Sequence, residues 1–154
     1  MWLPASLLDA GNRDALVDGW FAASRHWSVA FHFNKGLAGA SPEAAAASRD
    51  TATNPQVLSA FALAIIASSA DPAYPSQVLP AEKDARVRAG AIASAIGELR
   101  RVAPEAGTYV NECDYHQENW REAFWGSNAA RLEAIKRRYD DQNLFTVHHG
   151  IGSI

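Results

Sequence analysis

The chain has 154 residues, 48% hydrophobic and 20% charged, with net charge −3 and a pI near 5.9. This balance suits a globular domain with its own core and excludes a disordered chain, while the acidic charge argues against a nucleic-acid partner. The single cysteine, Cys113, permits no internal disulfide, and the longest apolar run, 60–67, falls far short of the roughly 20 residues that cross a bilayer.

The N-terminal Met1-Trp2-Leu3-Pro4 lacks the basic stretch of a secretion signal, so a cytoplasmic location without a membrane partner is expected. Residues 12–23 read as a short helix, capped by Asn12, with Leu16, Val17, Trp20 and Phe21 on one face. From Trp27 to Asn34 the period becomes two. Trp27, Val29, Phe31 and Phe33 alternate with Ser28, Ala30, His32 and Asn34, predicting a strand with one apolar and one polar face. Lys35-Gly36-Leu37-Ala38-Gly39 ends it. Ser41 followed by Pro42 starts a short helix reaching Ser48, and 51–55 is a loop.

Residues 57–68 are ambiguous. Their alanines favour a helix, but Phe61, Leu63 and Ile65 alternate, and a strand is expected. Three prolines mark 71–80 as a surface loop. The clearest helix spans 80–102, with Glu82 and Asp84 early, Arg100 and Arg101 late, and Val87, Ala91, Ala95, Ile96, Leu99 and Val102 as its buried stripe. Pro104 and Gly107 stop it. Residues 108–111 read as a short extended piece, 118–125 and 129–139 as helices, and 144–154 as an extended, glycine-punctuated tail. The fold class is α+β: a partial antiparallel sheet covered by helices, with too few strands to stand alone.

Polar groups are densest over Tyr109-Val110-Asn111-Glu112-Cys113-Asp114-Tyr115-His116. Glu112 has the chemistry of a general base if partly desolvated, and Tyr109 that of a hydrogen-bond donor or base. The plainer reading is that Glu112 and Asp114 cap the next helix near Gln117. Asp114, His116, His148 and His149 lack metal-ligand spacing, so no metal is expected. Lys136-Arg137-Arg138 reads as a solvated helix end, and Trp120, Phe124 and Trp125 as core. The chain has no serine-hydrolase elbow, Walker loop or Gly-x-Gly-x-x-Gly fingerprint.

The stretch from Gly107 to Asp114, then Trp120, Phe124-Trp125-Gly126-Ser127-Asn128, Arg131-Leu132, Ile135-Lys136, Tyr139-Asp140 and Leu144-Phe145 resembles the C-terminal signature of berberine-bridge-enzyme-like oxidases of the vanillyl-alcohol-oxidase superfamily. Phe33-Asn34-Lys35-Gly36-Leu37 and Thr53-Asn54-Pro55 resemble the substrate domain of its microbial branch. The resemblance implies a fragment of a larger two-domain flavoprotein. Residues 1–103 would be part of the substrate domain and 104–154 the berberine-like segment, with the FAD-binding domain on other polypeptide.

It further implies that Asn111 lies against the flavin and Tyr109 beside the ring and substrate. Glu112 stands where many members carry tyrosine or histidine, a position that can act as base. His32 and Asn34 would lie on the substrate side. The implied activity is oxidation of a small organic molecule, with hydride passing to flavin N5 and oxygen as acceptor. Asp141 replaces a usual proline, Ala129 replaces a common tyrosine, and Cys113 does not match the cysteine that anchors flavin covalently. The competing expectation is an inactive remnant, or an interaction module completed by another chain.

Overall fold

The structure is a computed structural model that describes residues 1–34, 36–37, 39–70, 74 and 81–153. Most of the loop expected over 71–80, including Pro80, lies outside the described residues, as do Lys35, Ala38 and Ile154. A three-stranded sheet has the order β1-β3-β2, with β1 at Trp2–Pro4, β2 at Ala30–Phe33 and β3 at Ala60–Ile65. The helices are α1 (Arg13–His26), α2 (Pro42–Arg49), α3 (Glu82–Val102), α4 (Trp120–Trp125) and α5 (Ala129–Tyr139). This is the α+β fragment that the sequence led us to expect. Among the described residues no helix is long and apolar enough to cross a membrane. The chain divides into two compact units.

One unit comprises Ala5–His32 and Ala64–Glu105 and is built on the pairing of α1 with α3. The buried residues of α1 are Leu16, Gly19 and Ala23, not the expected face: Val17, Trp20 and Phe21 are exposed. Small residues account for the change. Gly19 lies so close to Val102 that a Cβ there would collide with it, and the bulky side chains turn outward. On α3 only Ala95 and Leu99 are fully covered, and Val87 is exposed. With 14 residues against 21, α1 is too short to cover the first turns of α3. Asn12 does not cap α1; its amide donates to the Ser6 carbonyl at 2.9 Å. Trp27 falls outside the strand, its indole N–H donating to Ala67 O at 2.9 Å, so β2 is shorter than the alternation suggested.

The other unit comprises Met1–Pro4, Phe33–Leu63 and Ala106–Ile154. Its β1 runs antiparallel to β3, pairing Trp2 with Leu63, Leu3 with Ala62 and, past an irregularity, Pro4 with Ala60. The ambiguous 57–68 segment is therefore a strand at 60–65, preceded by a 3-10 turn over Pro55–Leu58. Leu3, Ala60, Ala62 and Leu63 are buried there, together with Trp120 and Phe124 of α4. Phe33, on the expected apolar face of β2, is 76% exposed, because β2 is an edge strand. Helix α2 begins as read, with Ser41 Oγ accepting from Ala44 N at 3.2 Å.

The tail is not extended. Turns close from Asn143 N to Asp140 O, from Gly150 N to Val147 O and from Ser153 N to Gly150 O, each at 3.0 Å. Asp140 organises its start: one carboxylate oxygen accepts from Leu144 N at 2.8 Å, the other from Phe145 N at 3.0 Å and from Lys136 Nζ. The Lys136 hydrogen bond, with help from these amides, holds the Asp140 carboxyl below the usual carboxylate range. Its contribution is therefore present above the ordinary Asp pKa and lost as pH falls through the lowered one. Asp140→Asn is expected to speed amide exchange at Leu144 and Phe145 several-fold, read by NMR, while α3 amides stay unchanged.

Candidate functional site

The Tyr109–Glu112 segment stands on a buried base. Asn54, only 3% exposed, is its centre. Asn54 Oδ1 accepts from Gln56 N at 3.0 Å, capping the 3-10 turn, and Nδ2 donates to Ala123 O of α4 at 2.9 Å. Thr108 N donates to the same Ala123 carbonyl at 2.7 Å. Gly107 N donates to Gln56 Oε1, and Gly107 O accepts from Trp2 N at 2.8 Å. Thr108 Oγ1 lies 3.3 Å from Gln117 Oε1. Leaving a buried amide such as Asn54 unpaired would cost about 1–3 kcal/mol, so this network holds the base in one arrangement.

Two glycines make room for Asn54. A Cβ on Gly107 would come within 2.5 Å of Asn54 Nδ2, and one on Gly126, which has φ +53°, within 2.9 Å of Asn54 Oδ1. Only the absence of a side chain lets both segments close around the amide.

Above this base the chain turns outward. Residues Val110–Glu112 form a 3-10 turn, not the extended piece expected over 108–111, because Glu112 N closes back on Tyr109 O at 3.1 Å. Tyr109 is half-buried, its ring 5.8 Å from that of Trp2 and tilted 57°. Asn111 Nδ2 donates to the Tyr109 phenol oxygen at 3.0 Å. Asn111 and Glu112 are exposed, and among the described residues the Glu112 carboxylate makes no hydrogen bond or ion pair. Tyr109 and Asn111 are thus joined by a hydrogen bond, with the exposed Glu112 next along the same turn.

Neither Glu112 nor Asp114 caps the next helix, because α4 starts only at Trp120, after Asn119, with no side-chain cap; Asp114 instead closes a turn in the loop before it. Asp114 Oδ1 accepts from His116 N at 2.8 Å and its carbonyl from Gln117 N at 3.1 Å. Cys113 is half-buried; burial first, and then the Asp114 charge, pushes its thiol up, which makes it a poor nucleophile near neutral pH. Asn34 is half-buried. Its amide donates to Val57 O at 2.7 Å and Ala60 O at 3.2 Å and accepts from Gly36 N at 2.9 Å, fixing the turn after β2. His32 is exposed on β2 and belongs to the other unit. Among the described residues no group of three or more His, Cys, Asp or Glu side chains is arranged for a metal ion.

Two clefts occur in this unit. One, of about 350 Å³, is lined by Asn143, Thr146, Val147, His148, His149 and Ser153. The other, of about 260 Å³, lies along Ser48 and the 51–58 stretch. Neither is lined by Tyr109, Asn111 or Glu112. Sequence reasoning missed Asn54, Gln56 and Trp2 as the supports of this segment. The Asn54-Pro55 pair was a readable cap signal, but its long-range bond to Ala123 was not.

Residues 108–152 match the family described as "Berberine and berberine like". Over these residues the chain resembles the C-terminal segment of berberine-bridge-enzyme-like flavoproteins. The chain is similar to an FAD-linked oxidoreductase, notD′, of Aspergillus versicolor, 43% identical over 54% of this chain and 13% of that protein. A second FAD-linked oxidoreductase, notD of an Aspergillus species, is 53% identical over 29% of the chain and 7% of its own length. A VAO-type flavoprotein oxidase of Thermothelomyces thermophilus is 42% identical over 32% of the chain and 9% of its length. The chain therefore spans only a small fraction of the curated relatives it matches. No solved structure matches it.

An isoalloxazine ring asks for flat contacts and for hydrogen-bond partners along its polar edge. The berberine-like segment offers the Tyr109 ring, the Asn111 carboxamide and the Glu112 carboxylate on one exposed turn, and these fit that part of a flavin.

Proposed function

We propose that this chain is the substrate-side, C-terminal portion of an FAD-dependent oxidoreductase acting on a small organic molecule. Residues 1–103 would belong to its substrate domain and 104–154 to its berberine-like segment. The observation that carries the reading is a half-buried Tyr109 leading into an exposed Asn111 and Glu112 on a buried, cross-braced base. Such a base is what positioning catalysis requires, since small misplacements are costly in rate.

A bound flavin supplies the electron chemistry, taking up hydride at N5 and passing electrons to oxygen. This chain's residues place and deprotonate the substrate. Asn111 presents its carboxamide to the polar edge of the ring. The Tyr109 phenol, which accepts from Asn111 Nδ2, keeps its own O–H to donate to the substrate oxygen. Glu112 takes the hydroxyl proton. General-base carboxylates work best partly desolvated, and Glu112 is exposed, so its cover comes from substrate and flavin. Asn34 acts on the substrate side by holding the turn after β2, and His32 offers an exposed imidazole.

The flavin's nucleotide half, and the domain that binds it, belong to polypeptide outside this chain. Leu144 and Phe145, 77% and 80% exposed, are apolar surface that such a domain would cover. A flavin titration tests this division. The purified chain is expected to show no sub-micromolar affinity for FAD, whereas co-expression with a flavin-bearing domain of this family restores an alcohol-dependent consumption of oxygen. Sub-micromolar binding by the chain alone would move the cofactor site into it. A chain that no flavin-bearing domain takes up would instead be an inactive remnant or an interaction module.

A further inference from the structure

The C-terminal tail is held to α4 by a run of rings. Tyr115 stacks on His148 with centroids 4.0 Å apart and planes 12° apart. His148 stacks on His149 at 3.7 Å, and His149 on Trp120 at 5.4 Å with planes 15° apart. Phe124 adds a tilted contact to His149 at 6.2 Å. Trp120 and Phe124 are the buried residues of α4, so the tail's histidines form part of their cover.

The stack suits neutral imidazoles and not charged ones. His148 Nε2 lies 2.7 Å from the Tyr115 carbonyl, which only accepts, so the neutral ring carries its proton on Nε2. His149 Nδ1 is buried without a hydrogen-bond partner, so a proton there would meet no acceptor. Burial first, and then the neighbouring His148 and His116, hold His149 below the ordinary histidine value.

The carboxylates paired near this segment already hold cations. Of the charged groups packed around this segment, Arg121 lies 4.2 Å from the Trp120 ring and donates to Ser153 O at 2.8 Å. Glu133 is engaged by Arg121 Nε at 3.2 Å, and Asp140 by Lys136. A charged His149 ring would lie near the Arg121 cation and turn its Nδ1 proton toward no acceptor. His149 also sits at φ +56°, a left-handed backbone that packing must hold in place for a non-glycine residue.

We propose that residues 143–153 form an acid-released latch, in which protonation of His149 within the ring stack frees the tail from α4. The sign follows from His149: its folded value lies below its unfolded one, so docking is complete above about pH 6.5 and is lost as pH falls below it. Release uncovers Trp120 and Phe124. It also loosens α4, whose Ala123 carbonyl holds both Thr108 and Asn54.

The test is an NMR titration of the purified, isotope-labelled chain from about pH 7.5 to about pH 5. Amides of Thr146–Gly152 are expected to shift in step with the His149 ring, and their solvent exchange, corrected for intrinsic pH dependence, to rise at least roughly tenfold. His149→Phe keeps a flat ring in the stack and removes the charge. It should hold tail exchange near about pH 5 within roughly twofold of its value near pH 7.5. His149→Leu, which also removes the titrating ring, should likewise suppress release, and serves if the first variant does not fold. Tail amides that stay docked while His149 titrates, or a folded His149→Phe chain that releases like the wild type, would overturn the latch.

Discussion

If the proposed function holds, replacing Glu112 by glutamine in the chain complemented by a flavin-bearing polypeptide is expected to lower turnover by about 10²-fold or more, the scale of losing a general base. Glutamine keeps the size and planarity of the side chain and removes only its ability to take a proton. Glu112 is exposed and its carboxylate makes no hydrogen bond or ion pair among the described residues, so thermal stability of the variant should match the wild type. Substrate KM should move far less than turnover, because the lost interaction belongs to proton transfer and not to binding. Turnover equal to the wild type would remove Glu112 from the chemistry and leave Tyr109 as the remaining base on the segment.

The largest effect on stability is expected at Gly107. A Cβ there would meet the Ala123 carbonyl oxygen at 2.8 Å, Asn54 Nδ2 at 2.5 Å and Gln56 Oε1 at 2.9 Å. One of these is backbone and the other two are amide groups fixed by their own hydrogen bonds, so none can yield without breaking a pairing. Overpacking and the lost buried hydrogen bonds together should cost about 3 kcal/mol or more, lowering Tm by roughly 10 °C in a chain of this size. Gly90, where an added Cβ meets nothing within 4 Å, is the control: Gly90→Ala should be neutral or mildly stabilising. Equal melting temperatures for the two variants would show that the base of the Tyr109–Glu112 segment is looser than described.

Local signals on the chain were legible where the responsible chemistry is local. Ser41-Pro42 marks the start of α2, and the charge order of Glu82 to Arg101 marks α3, because caps and dipole partners lie within a turn of what they stabilise. The alternation of Phe61, Leu63 and Ile65 outweighed the alanines around it, and 60–65 is a strand. What the sequence did not disclose depends on contacts distant along the chain. β1 has three residues ending in proline, too few to show a period, and is a strand because Leu3 meets Ala62. The buried face of α1 was misread because Gly19 and Ala23 pack closely on α3 and displace the bulkier apolar residues outward. The tail turns where an extended run was expected because Asp140 gathers Leu144 N and Phe145 N.

The candidate site divides in the same way. The cluster from Tyr109 to His116 was visible as composition, and the structure adds what composition could not: a buried base beneath the cluster and an open tip above it. Asn54 joins the two, 69 residues before its partner Ala123, a separation no local pattern records.

The account turns on where the Tyr109–Glu112 tip sits relative to a flavin ring. The direct measurement is an amide NMR spectrum of the labelled chain in complex with its flavin-bearing polypeptide, recorded with the flavin oxidised and then reduced. Reduction changes the ring's charge and electronic structure, so amides of Tyr109, Asn111 and Glu112 should shift more than any others in the chain. If those three stay unmoved while amides elsewhere respond, the tip faces something other than the cofactor, and the catalytic roles given to Tyr109 and Glu112 would be wrong.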